Sequence, residues 1–175
     1  RTIQEKEGLV NLKIGKLYFD HDNNLWSCND NGISLIDISN PITTFDKKNG
    51  ITFATEGIYF SEETDLLATR SDLFRTEIID GKRHFINTEV FNMATYQIKT
   101  FTFPDGVTKT LVIGNNGIYE YINNTRIEIG TLWAWDLFQS TSNPNRIWVG
   151  LDGDGIGSLI YKNGEIKIES RKIKN

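Results

Sequence analysis

Leu17-Tyr18-Phe19-Asp20, a polar loop, Leu25-Trp26 and then Asn31-Gly32-Ile33 form a unit that recurs three more times along the chain. The second copy is Ile58-Tyr59-Phe60-Ser61, a loop, Leu66-Leu67 and Asp72-Leu73-Phe74. The third is Thr100-Phe101-Thr102-Phe103, a loop, Leu111-Val112 and Asn116-Gly117-Ile118. The fourth is Asp136-Leu137-Phe138-Gln139, a loop, Ile147-Trp148 and Asp154-Gly155-Ile156. The anchors Trp26, Leu67, Val112 and Trp148 lie 41, 45 and 36 residues apart. A period in this range, built from short strands, predicts β-propeller blades. Such a scaffold leaves function to loops and surfaces.

Each copy reads as strand, loop, strand, tight turn, strand, hairpin, strand. In the second the strands are expected over 57–60, 66–69, 73–79 and 82–87, with Asp80-Gly81 as a type I′ hairpin. The third gives 109–113, 117–122 and 125–129 around Asn123-Asn124; the fourth gives 146–151, 156–161 and 165–169 around Asn163-Gly164. In the first, Ser39-Asn40-Pro41 takes the hairpin position, because proline cannot sit in a central strand. Gly32, Gly117 and Gly155 enter the third strands, where positive φ or close backbone approach is expected. Trp26 and Trp148 are expected to fill the wedge between neighbouring blades. The fold class is all-β: about four four-stranded antiparallel blades with repeats over 12–51, 55–91, 96–131 and 133–170, forming one segment of a larger propeller.

Composition narrows the function. A net charge of −4 disfavours nucleic-acid partners, and no apolar run approaches a membrane span, so no direct membrane insertion is expected. The single cysteine, Cys28, excludes an intrachain disulfide and a multi-cysteine metal site. The opening on Arg1 reads as an excised piece of a longer protein.

Asp20-His21-Asp22-Asn23-Asn24-Leu25-Trp26 followed by Asn31-Gly32-Ile33 resembles the regulator-propeller repeat of bacterial two-component sensors. Arg146-Ile147-Trp148-Val149-Gly150 and Leu111-Val112-Ile113-Gly114-Asn115-Asn116-Gly117-Ile118 carry the same core. Asn23-Asn24 and Ser27-Cys28 depart from the family pattern, and Asp72-Leu73 makes the second repeat the most divergent. The resemblance implies a periplasmic or extracytoplasmic sensory domain of a hybrid two-component protein, responsive to glycan-derived ligands. Members usually carry more than four blades. The partners expected here are therefore adjoining blades or domains of a parent sensor. A homodimer through exposed strand edges is also expected, as is a small closed four-bladed ring as the alternative.

No catalytic constellation stands out. His21 falls in a loop and His84 in a fourth strand beside Lys82 and Arg83, and no HExxH, GxSxG or phosphate-cradling loop occurs. The chain is read as no enzyme, with no cofactor and no metal. Asp20-His21-Asp22 and Asp152-Gly153-Asp154-Gly155 are oxygen-rich, but the first lacks the glycine and glutamate of a calcium loop. They read as turns whose side chains bond their own backbone. A lyase or hydrolase would have to draw on Asp136, Asp152 and Asp154.

Propeller topology gathers the second-to-third-strand turns and the interblade connections on one face. That face should hold Asn29, Asp30, Arg70, Asp72, Asn115, Asn116, Asp152 and Asp154, with the connections at 92–96 and 132–136. In Trp133-Ala134-Trp135-Asp136, alternation sets both indoles on one side of an extended segment. The candidate ligand-binding residues are thus Trp133, Trp135, Asp136, Arg70, Asn115, Asn116, Asp152 and Asp154, forming a platform for a carbohydrate-derived ligand. The function expected is non-catalytic sensing; the alternative is a protein-interaction scaffold that senses nothing.

Overall fold

The computed structural model describes residues 3–4, 9–22, 24–36, 43–60 and 65–171. Its strands form four separate four-stranded antiparallel sheets, each with its strands in chain order. Two compact units divide the chain, Arg1–Asn92 and Met93–Asn175. The first holds blade one, β1 (Ile14–Phe19), β2 (Leu25–Asn29), β3 (Gly32–Ile36) and β4 (Thr43–Phe45), and blade two, β5 (Thr55–Tyr59), β6 (Leu66–Thr69), β7 (Leu73–Ile79) and β8 (Lys82–Asn87). The second holds blade three, β9 (Thr95–Thr102), β10 (Thr108–Gly114), β11 (Gly117–Ile122) and β12 (Thr125–Gly130), and blade four, β13 (Ala134–Gln139), β14 (Arg146–Leu151), β15 (Gly155–Lys162) and β16 (Glu165–Ser170).

The turn chemistry sets these sheets. Asp80-Gly81, Asn123-Asn124 and Asn163-Gly164 all have positive φ at both residues, as type I′ hairpins demand. Gly32 enters β3 at φ 148°, and a Cβ there would meet the Phe45 carbonyl oxygen at 2.4 Å. In blade two Asp72 is buried where the other copies carry a glycine turn. Its carboxylate accepts the N–H groups of Leu73 (2.6 Å), Phe91 (3.0 Å) and Asn92 (3.0 Å), so it clamps the segment leaving that blade. The divergence of the second repeat is therefore an exchange of turn chemistry for a buried anion.

Within each unit the core lies between two blades. In the first, Trp26, Cys28, Ile33 and Phe45 of blade one meet Leu67, Phe74 and Phe85 of blade two. Trp26 stacks on Phe45 (5.7 Å between centroids) and touches Phe60 of blade two (5.1 Å). In the second, Phe101, Phe103, Leu111 and Ile113 face Leu137, Ile147, Val149, Leu159 and Tyr161. Phe103 and Tyr161 stack at 3.9 Å.

Three sequence expectations need correction. Trp148 does not fill the wedge beside blade three; Ile147 and Val149 on either side of it do, and Trp148 points the other way, half-buried. Leu67 faces back toward blade one whereas Trp26 faces forward toward blade two, so the four anchors do not share one register. The first strands also begin earlier than expected, at Thr55, Thr95 and Ala134, so that much of the supposed connections at 92–96 and 132–136 is strand. The cause is a bulge near the start of every first strand, which interrupts the alternation that locates a strand by eye. The hairpin at Ser39-Asn40-Pro41 lies outside the described residues.

The contrast between the two indoles is measurable. Trp26→Ala should cost about 3–5 kcal/mol in urea denaturation, as truncation of a packed aromatic does. Trp148→Ala should cost less, about 1–2 kcal/mol, since its ring is only partly buried and lies outside the core.

Candidate functional site

The bulge builds the surface. In β13, Ala134 pairs with Leu151 and Asp136 with Gly150, leaving Trp135 as the extra residue. The equivalent extra residues are Gly15 in β1, Glu56 in β5 and Tyr96 in β9. A second repeated bond fixes this end of blades two, three and four: the N–H of the turn residue donates to the carbonyl just before the first strand. The pairs are Arg70 to Ala54 (3.0 Å), Asn115 to Ala94 (3.2 Å) and Asp152 to Trp133 (2.9 Å). Arg70, Asn115 and Asp152 thus occupy one repeat position, and bulge residue and turn residue come together in each blade where both carry partnered side chains. In blade two that contact is Arg70 Nε to Glu56 Oε1 at 2.5 Å. In blade four it is Trp135 Nε1 donating to Asp152 Oδ1 at 3.0 Å.

The second unit consequently carries an aromatic shelf. Tyr96 stacks on Trp135 with centroids 4.3 Å apart and rings 20° from parallel. Trp133 stands 6.4 Å from Trp135, tilted by 34°. Both indoles are 47% exposed while Ala134 between them is fully buried. The expected alternation therefore holds across 133–135. Rings left half in water and fixed at one edge by a hydrogen bond can offer an apolar face to a ligand, with Asp152 as a polar neighbour.

The other candidates divide. Asn115, Asn116 and Asp154 are exposed on the turns of blades three and four. Asp136 turns to different partners: its Oδ1 accepts the Leu137 N–H (2.7 Å) and lies 3.8 Å from Lys99 Nζ. Arg70 belongs to the first unit, held by Glu56. Tyr96 was missed as a site residue. The available signal was its place one repeat before Trp135, 39 residues upstream in an equivalent segment.

No family model and no curated protein sequence matches the chain. Solved structures do. The extracellular domain of the hybrid two-component system BT3049 of B. thetaiotaomicron superposes with a TM-score of 0.71 at 12% identity, covering 96% of this chain and 26% of that one. The extracellular domain of the hybrid two-component system BT4673 of the same organism gives 0.68 at 19% identity, covering 93% and 23%. Virginiamycin B lyase of Staphylococcus aureus gives 0.62 at 19% identity, covering 96% and 58%. This chain has their fold. It spans about a quarter of the length of the two extracellular domains.

The acidic loop of blade one is a structural turn. Asp20 Oδ1 accepts the N–H groups of Asp22 and Asn24 (both 2.9 Å), and Oδ2 accepts the Asn24 amide (3.1 Å) and the Trp26 indole (2.8 Å). His21 is exposed beside it, lining a cavity of about 350 Å³ whose Arg83 sits 3.3 Å from Asp65. No helix among the described residues is long and apolar enough to cross a membrane. Cys28 is buried in the first core; burial pushes its thiol up to about 11, which leaves it a poor nucleophile.

Burial pushes the Asp20 carboxyl up, but the Trp26, Asn24 and Asp22 hydrogen bonds outweigh it and hold the pKa below the ordinary value. A carboxylate depressed in the folded state adds stability above its unfolded pKa and loses it as pH falls through the folded value. Trp26→Phe removes one donor, so its stability deficit against wild type should shrink between pH 7 and pH 3. Urea melts at the two pH values check this; a pH-independent deficit would assign the whole loss to packing.

Proposed function

We propose that this chain is a non-catalytic, ligand-binding segment of an extracytoplasmic sensor, periplasmic in location, and that a carbohydrate-derived ligand lies on the shelf of Tyr96, Trp133 and Trp135. The observation that carries the reading is the shelf itself: two half-exposed indoles and a tyrosine, anchored by Asp152. Apolar sugar faces stack on such rings while neighbouring polar groups bond hydroxyls. Asn115, Asn116 and Asp154 are the proposed polar rim, all from the same unit. Arg70 is left out of this surface, and Asp136 contributes at most through Lys99.

The likeness to extracellular domains of hybrid two-component systems supports a sensory role. Signalling would follow from a ligand that binds one arrangement of the surrounding domains better than another, biasing a two-state receptor. Catalysis is not part of the proposal, because Asp152 and Asp136 already hold fixed partners in Trp135 and Lys99.

Intrinsic tryptophan fluorescence, titrated with a panel of neutral and acidic oligosaccharides, tests the reading. At least one should give a saturable change. Trp133→Ala and Trp135→Ala should each weaken it about tenfold, the loss of a stacking contact worth about 1.4 kcal/mol. Asp152→Asn, which keeps an acceptor for the indole, should weaken it less than Asp152→Ala. Saturable binding that ignores all these changes would move the site elsewhere; no response to any saccharide would remove the ligand class.

A further inference from the structure

The tryptophans of this protein divide by what stands over their rings. Arg83 lies 5.6 Å from the Trp26 ring and Arg146 lies 5.3 Å from that of Trp148. Tyr119 is covered in the same way by Arg126 at 5.0 Å. Among the described residues no basic side chain lies over Trp133 or Trp135, although both indoles are 47% exposed. The shelf indoles are thus rings whose cation-binding faces the protein leaves unfilled.

Trp135 is paired with an anion instead. Its indole N–H donates to Asp152 Oδ1 at 3.0 Å, and among the described residues no ion pair reaches Asp152. An N–H that donates to a carboxylate pushes electron density into the ring, which deepens the negative potential of its face. Lys99, three residues along β9 from Tyr96, does not offset this charge. Its ammonium donates to the Leu137 carbonyl at 2.7 Å and lies 3.8 Å from Asp136. Asp154, exposed on the same turn as Asp152, adds a second carboxylate to the rim.

We propose that the shelf selects a cationic saccharide, one that carries an unacetylated amino group. The ammonium sits against Trp135 within reach of the Asp152 carboxylate, and the apolar face of the sugar packs on Trp133. This inference rests on the saccharide reading above and narrows it. Acidic saccharides are selected against on the same grounds: their anionic groups would meet Asp152 and two negative ring faces with no basic partner.

Tryptophan fluorescence titrations with three trisaccharides of one linkage, differing only at C2, test the selection. The groups at C2 are the hydroxyl of glucose, the ammonium of glucosamine and the neutral amide of N-acetylglucosamine. The glucosamine form should bind about fivefold tighter than the glucose form, an advantage that shrinks as salt is raised. Asp152→Asn, which keeps the acceptor for the indole, should cut that advantage severalfold. A neutral form that binds as well as the amine overturns this inference and leaves the saccharide shelf standing. If none of the three binds, both readings fall for this surface.

The charge argument also has a test that needs no sugar. Caesium and iodide quench exposed indoles, each measured relative to free N-acetyltryptophanamide at matched ionic strength. The fluorescence lost in Trp133→Phe and Trp135→Phe reports the shelf. It should favour caesium, and Asp152→Asn should move it toward iodide. Preferential quenching of the shelf by iodide overturns the proposal whatever the saccharides do.

Discussion

A four-stranded antiparallel sheet whose middle strands are apolar on both sides cannot bury itself. It has two faces and needs a layer against each, so blades pack side by side and every pair leaves further faces to be covered. That requirement explains why Trp26 is buried by groups from two blades, Phe45 of its own and Phe60 of the next. On the outer side of blade four, Arg146 is paired with Glu169 and placed over Trp148, while Phe138 and Ile156 stay exposed.

The second constraint acts at the opposite edge of the blade. The first strand pairs on one side only, and its remaining backbone groups must find partners elsewhere. In the second unit, side chains of blade three supply them: Gln97 accepts the Leu137 N–H at 3.0 Å and Lys99 donates to the Leu137 carbonyl at 2.7 Å. The bulge then turns one residue per blade toward the turn that follows the second strand. What that residue is decides what the face can do. Glycine at position 15 offers nothing, Glu56 makes an ion pair with Arg70, and Tyr96 with Trp135 makes a stacked aromatic surface.

Much of this was legible in the sequence, and the limits have physical causes. The hairpins were readable because Asp80-Gly81, Asn123-Asn124 and Asn163-Gly164 take the positive φ that such pairs favour, and the repeat spacing was readable from the apolar anchors. The pairing of Trp133 with Trp135 was readable because a two-residue alternation needs no tertiary information. Register was not. A bulge adds one residue without any composition signal at Gly15, Glu56, Tyr96 or Trp135, and it moved the strand starts. The direction of Trp148 was hidden for a related reason: both sides of a middle strand are apolar, so Ile147-Trp148-Val149 does not say which residues meet blade three.

The shelf and the exposed outer side chains of blade four share a strand. Trp135 and Phe138 lie three residues apart on β13, one at its bulge and the other on its outward side. The bond from the Asp152 N–H to the Trp133 carbonyl fixes the bulged end, and the residues that follow pair with β14. The surface can therefore change without a change of core, because Ala134 and Leu137, not Trp135 and Phe138, are the β13 side chains that pack against blade three.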